Sequence, residues 1–133
     1  MTEHQSTIYV VEDDEETRKA TELLLSVSGF NARCFESAES LIESTNDLSD
    51  LTHPRSACVL ADLRLPGING LQLFQQLRHN GITAPVILIS AHADNETIDQ
   101  AITAGVNRFL LKPVRPSDLI DTLRLATQHD AVA

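Results

Sequence analysis

The chain has 133 residues, which is one domain on the usual size of roughly 100–150 residues. Ten Lys and Arg stand against 19 Asp and Glu, a net charge of −9 that argues against a grip on nucleic acid or on an anionic membrane surface. With 42% hydrophobic and 22% charged residues, the composition suits a globular core and is too apolar for disorder.

In chain order, residues 8–11 are a short apolar run that predicts a buried strand. Residues 15–28 have helical spacing, with Ala20, Leu23, Leu24 and Val27 on one apolar face. Gly29 follows, where a terminating glycine belongs. A weaker apolar run at 32–35 predicts a second strand, and residues 37–44 a short helix with Ser37 as N-cap. Residues 46–55 are polar, lack helical period, and read as an extended loop. A third strand is expected at 58–60, then a helix over 70–79 marked by Leu71, Phe74 and Leu77 and ended near Asn80-Gly81. A fourth strand at 86–89 precedes a helix marked by Ile98, Ala101, Ile102 and Gly105. A fifth strand at 109–111 precedes a last helix marked by Leu119, Ile120, Leu123 and Ala126. This alternation predicts an α/β fold, a flavodoxin-like (βα)5 doubly wound five-stranded parallel sheet of order 2-1-3-4-5, as one domain over residues 1–133.

The N-terminus has no basic region leading into an apolar one, and no run approaches the length of a membrane span. Cys34 and Cys58 show no CxxC and no Cys/His ligand spacing, which excludes a zinc-finger site and predicts reduced thiols in a cytoplasmic protein. His4, His53, His79, His92 and His129 are scattered without ligand spacing.

The chemistry lies at the strand ends. The first strand ends in Glu12-Asp13-Asp14, the third in Asp62, the fourth in Ser90 and the fifth in Lys112-Pro113. In a parallel sheet these ends share one edge, the edge where open α/β sheets bind ligands. Clustered carboxylates repel unless a cation joins them, and an all-oxygen donor set suits Mg²⁺ or Mn²⁺ over zinc. Lys112 and the Ser90 hydroxyl add a positive charge and a hydrogen bond, enough with the cation to neutralise a phosphoryl group. Asp62, alone at the end of the central strand, is the best nucleophile for an acyl phosphate. Asp14 reads as the helix N-cap.

The pattern VVEDD, ADLRLPGINGLQL, VILISA and FLLKP resembles a response regulator receiver domain of the CheY-like superfamily, from about Thr7 to Ala126. FESAESLIE, DLRLPGINGLQL and LKPVRPSDL look closest to the FixJ type. Intervals of 49, 28 and 22 residues separate Asp13, Asp62, Ser90 and Lys112 and fit that family. The resemblance implies that Asp62 is the phosphoacceptor, supplied by the phosphohistidine of a sensor histidine kinase. It implies that Glu12 and Asp13, with Asp62 and the backbone carbonyl of Arg64, hold Mg²⁺, and that Ser90 and Lys112 bind the phosphoryl oxygens. A cis peptide between Lys112 and Pro113 is implied, with Ser90 and Phe109 as switch residues. The output surface would be residues 95–104, 108–111 and 117–127. It would dock a downstream target or output domain, or form a phosphorylation-dependent dimer. The domain would phosphorylate and dephosphorylate itself with Mg²⁺ without being a dedicated enzyme. Ser90 stands for the commoner Thr, and the acidic pair is Glu-Asp. Arg64 and His92, two positions beyond Asp62 and Ser90, are expected to tune hydrolysis of the acyl phosphate. The alternative is a receiver-like interaction module that is never phosphorylated. A flavin protein is disfavoured because EDDEE after the first strand repels phosphate, and a haloacid-dehalogenase-type hydrolase because no second acid lies two places after Asp62.

Overall fold

The computed structural model describes residues 6–44, 57–91 and 94–128. The loop expected over 46–55 and His92 lie outside the described residues. Five strands and five helices alternate: β1 (Thr7–Val11), α1 (Glu15–Val27), β2 (Asn31–Phe35), α2 (Ala38–Ser44), β3 (Ala57–Asp62), α3 (Gly70–His79), β4 (Val86–Ser90), α4 (Asn95–Ala104), β5 (Arg108–Leu111) and α5 (Pro116–Gln128). The strands are parallel and lie in the order β2-β1-β3-β4-β5.

Strand residues alternate between the two faces, and each face has its own core. On one, Tyr9, Val11, Val59 and Leu88 pack with Leu41 of α2, Leu73, Phe74 and Leu77 of α3 and Ala101 of α4. On the other, Ile8, Val10, Cys58, Leu60 and Ile87 pack with Leu25 of α1 and Leu119, Ile120 and Leu123 of α5. The central strands are therefore buried on both sides, which is why they read as continuous apolar runs.

Helix starts are written locally. Asp14 caps α1 by accepting from the Thr17 amide at 2.9 Å and its hydroxyl at 2.7 Å. The Ser37 hydroxyl accepts from the Ser40 amide at 3.1 Å at the start of α2. Asn69 and Gln72 form a capping box on α3, and Asp94 accepts from the Thr97 amide at the start of α4. Gly105 ends α4 at φ +103°, a conformation that suits glycine.

The buried stripe of α1 differs from the one expected. Leu23 and Val27 are 65% and 74% exposed, while Leu25 is fully buried. The stripe runs instead through Thr21, Leu24, Leu25 and Ser28. Both stripes obey the helical period and share Leu24. The tight return into β2, closed by the Phe30 amide on the Leu25 carbonyl at 2.9 Å, turns the second one onto the sheet.

Candidate functional site

Strand register brings the predicted residues to one edge. Val11 lies opposite Ala61, so Glu12 emerges level with Asp62. Asp62 lies opposite Ile89, one residue before Ser90, and Ser90 lies opposite Leu111, one residue before Lys112.

Lys112 joins the acids. Its Nζ lies 2.7 Å from Asp62 Oδ2 and 3.6 Å from Glu12 Oε1. The Lys112 amide donates to the Ser90 carbonyl at 2.9 Å, and the peptide from Lys112 to Pro113 is cis. Burial works against the ammonium, but the hydrogen bond and charge of Asp62, then those of Glu12, outweigh it and raise the Lys112 pKa. The other oxygen of Asp62, Oδ1, accepts from the Arg64 amide at 2.9 Å, which fixes the carboxylate plane.

Glu12 is only 7% exposed. Burial pushes its carboxyl above the ordinary range, and the Asp14 amide and Lys112 offset this only in part. The Asp14 amide donates to Glu12 Oε2 at 3.1 Å. Arg18 of α1 reaches back over the same turn, its Nη1 donating to the carbonyls of Glu12 at 2.9 Å and Asp13 at 3.5 Å. Arg18 was not singled out by the sequence reading. The signal was its position one turn into the helix that the acids open, from which a long side chain folds back over the N-terminus.

The remaining predicted residues are less closely gathered. Asp13 is exposed beside Glu12, and Ser90 is fully buried at the end of β4. Phe109 lies opposite Leu88, partly buried against the core that α3 and α4 cover, on the same side of the sheet as α4. Arg64 is exposed on the loop after β3. Its charge also reaches Asp94, whose carboxyl is held low first by Thr97 and then by Arg64. A cleft of about 960 Å³ runs from Asp62 and Lys112 down between α1 and α5, walled by Val10, Leu24, Leu60 and Leu119.

Among the described residues, no three His, Cys, Asp or Glu side chains gather into a ready metal cage. What Glu12, Asp13 and Asp62 offer is an open, all-oxygen edge. That suits an ion such as Mg²⁺, which takes one or two carboxylates and keeps several waters. Lys112 is shared between Asp62 and Glu12, at 2.7 and 3.6 Å, so two carboxylates face one ammonium at this edge.

The family model described as the response regulator receiver domain matches residues 8–124. The transcriptional regulatory protein TdiR of Thauera aromatica is 37% identical over 125 residues, covering 94% of this chain and 52% of that protein. The transcriptional regulatory protein FixJ of Rhizobium meliloti is 30% identical, covering 92% of this chain and 57% of that protein. The chain thus spans about half the length of the curated relatives it matches. Among solved structures, FixJ-N superposes with a TM-score of 0.82 at 29% identity, covering 97% of each chain.

Proposed function

The chain belongs to the response regulator receiver domain family of two-component systems, and on that premise we propose that Asp62 is its phosphoacceptor. The observation that carries the reading is the Lys112 ammonium seated between Asp62, at 2.7 Å, and Glu12, at 3.6 Å. A carboxylate so held is oriented and partly neutralised, ready to meet an anionic phosphoryl group.

In the proposed reaction an oxygen of Asp62 attacks the phosphorus of a phosphohistidine on a sensor histidine kinase. The P–N bond breaks, the imidazole leaves with the electron pair, and an acyl phosphate remains on Asp62. Lys112 then faces the phosphoryl oxygens, and the Ser90 hydroxyl supplies a donor from β4. Glu12, Asp13, Asp62 and the Arg64 carbonyl are the groups that would hold Mg²⁺. When bound, the ion supplies positive charge to the phosphoryl oxygens. Hydrolysis returns inorganic phosphate and the free carboxylate, with Arg64 and His92 as the proposed tuners of the attacking water. The domain is not a dedicated enzyme on this reading, since the acceptor is its own side chain.

The acyl phosphate stabilises one of two states by its contacts with Ser90 and Lys112, and Phe109 follows Ser90. The face built from α4, β5 and α5 then meets its partner, either an output domain or a downstream target, or a second copy. TdiR and FixJ are named transcriptional regulatory proteins, which favours an output domain that acts on transcription. We place the protein in the cytoplasm as a single receiver domain over residues 1–133. Among the described residues no helix is long and apolar enough to cross a membrane.

The test is intact mass spectrometry after incubation with acetyl phosphate, with and without Mg²⁺, on the parent and on Asp62→Asn. One phosphoryl mass is expected on the parent, only with Mg²⁺, and none on the variant. An unmodified parent would overturn the reading in favour of an interaction module that is never phosphorylated.

A further inference from the structure

The loop between Asp62 and α3 carries the Arg64 amide that holds Asp62 Oδ1, so its position decides where the acceptor carboxylate points. The loop is tied down at its base and along its length. At the base, the Gly70 amide donates to the Leu63 carbonyl at 2.9 Å. Along the loop, the side chains of Leu63 and Leu65 are each only 8% exposed. The tip has a different anchor. Glu39, on α2 and 29 residues earlier, accepts from the Ile68 amide at 3.0 Å through Oε2. Gly67 leaves that carboxylate room: a Cβ there would run into Glu39 Oε2, and the residue sits at φ +73°, where side chains are strained.

This contact has the marks of a built one. It joins two segments far apart in sequence, its acceptor is ionised, and the neighbouring position is a glycine that clears the approach. The Ile68 amide holds the Glu39 carboxyl below its ordinary range, so the acceptor stays charged at neutral pH. A bond to an ionised acceptor is roughly twice as strong as a neutral one. Glu39 is not part of the acid cluster beside Lys112, and its contact with the loop is to a backbone amide.

We propose that Glu39 is a positioning residue for the phosphorylation site: by clamping the tip of the loop after β3, it holds the Arg64 backbone where Asp62 and a bound Mg²⁺ need it. The inference rests on the reading of Asp62 and its neighbours as the Mg²⁺-dependent phosphoacceptor site.

The experiment is an amide NMR titration of the whole chain with MgCl₂, without phosphodonor, on the parent, Glu39→Ala and Glu39→Gln. The signals followed are the amides of Asp13, Arg64 and Ile68. In the parent, Mg²⁺ moves the Asp13 and Arg64 amides, and the Ile68 amide lies downfield before any Mg²⁺ is added. Glu39→Ala should lose the downfield position of Ile68 and raise the Mg²⁺ half-saturation by about 10-fold, the low end for losing a group that orients a metal ligand. Glu39→Gln keeps an acceptor oxygen and should return to within about 3-fold of the parent, a rescue that simple loss of helix stability does not predict. Parent-like half-saturation in Glu39→Ala, with Mg²⁺ still moving the parent amides, overturns the role of Glu39 alone. A parent whose amides ignore Mg²⁺ overturns the reading of the site, and the role of Glu39 with it.

Discussion

The two ends of the sheet solve opposite problems. At the amino end, the described polar side chains are matched to the backbone. Arg78 of α3 donates through Nη1 to the carbonyls of Ile82 at 2.9 Å and Ala84 at 3.0 Å, and stacks on Phe74 with 4.6 Å to the ring centroid. Asn107 accepts from the Val86 amide at 2.9 Å and meets Arg78 at 3.4 Å. At the carboxyl end, Glu12 and Asp62 share the single ammonium of Lys112, and Glu12 is pushed up by burial. One end uses its charge to close the structure. The other keeps acidic charge in surplus, and a surplus is what a cation and a phosphoryl transfer can use.

That contrast predicts that stability and phosphorylation separate between the ends. The largest effect falls at the carboxyl end. Lys112→Ala should slow phosphorylation by acetyl phosphate about 10²–10³-fold, the usual loss for one charge-stabilising donor. Its urea midpoint should stay near that of the parent, because the lysine is partly exposed. Intact mass spectrometry reads the first quantity and tryptophan-free circular dichroism the second; a parent-like rate would erase the distinction drawn here.

At the amino end, Arg78→Ala should do the reverse. It strips a donor from two loop carbonyls and a guanidinium from the Phe74 ring, at a cost of about 1–3 kcal/mol in urea unfolding. The phosphorylation rate of the folded fraction should match the parent. If that rate fell as far as in Lys112→Ala, the two ends would not be independent.

The smallest effect concerns the strands between them. Full burial pushes the Cys58 thiol up to about 12, whereas Cys34 on edge strand β2 is half-buried and raised by burial and Glu22. Iodoacetamide at pH 8 should label Cys34 first and reach Cys58 only when denaturant is added, as peptide mass mapping would show. Equal labelling of both in the native protein would contradict the dry interior assigned to the central strands.

The order of elements was legible because the central strands are buried on both faces and so carry no polar interruption. The charges at their ends stood out for the same reason: Glu12 and Asp62 stand where buried apolar runs stop, and Lys112 stands where the short apolar run of edge strand β5 stops. Less was legible wherever a choice depends on a neighbour in space. The helical period of α1 fits two stripes, the apolar one through Leu23 and Val27 and the buried one that mixes Thr21 and Ser28 with Leu24 and Leu25, and the return through Gly29 and Phe30 goes with the one that has Leu25 inside. Strand limits also moved outward, with β3 starting at Ala57 and reaching Asp62, because ladder pairing continues past the most apolar residues. Arg18 and Glu39 escaped notice because each acts on backbone groups, which leave no trace in a pattern of side-chain types.

Gly70 couples Asp62 to the helix that follows it. A Cβ at that position would lie 2.6 Å from the Asp62 carbonyl oxygen and 3.0 Å from Leu63 Cα, so the first turn of α3 rests directly on the backbone of Asp62 and Leu63. Strand β3 and helix α3 are thus joined by direct backbone contact, and the Asn69–Gln72 box caps the helix at the same point. On the other flank of Asp62, β4 and β5 meet α4 through side chains, with Leu88, Phe109 and Ala101 in one core. The seat of Asp62 is thus set by where backbone touches backbone as much as by where charge sits.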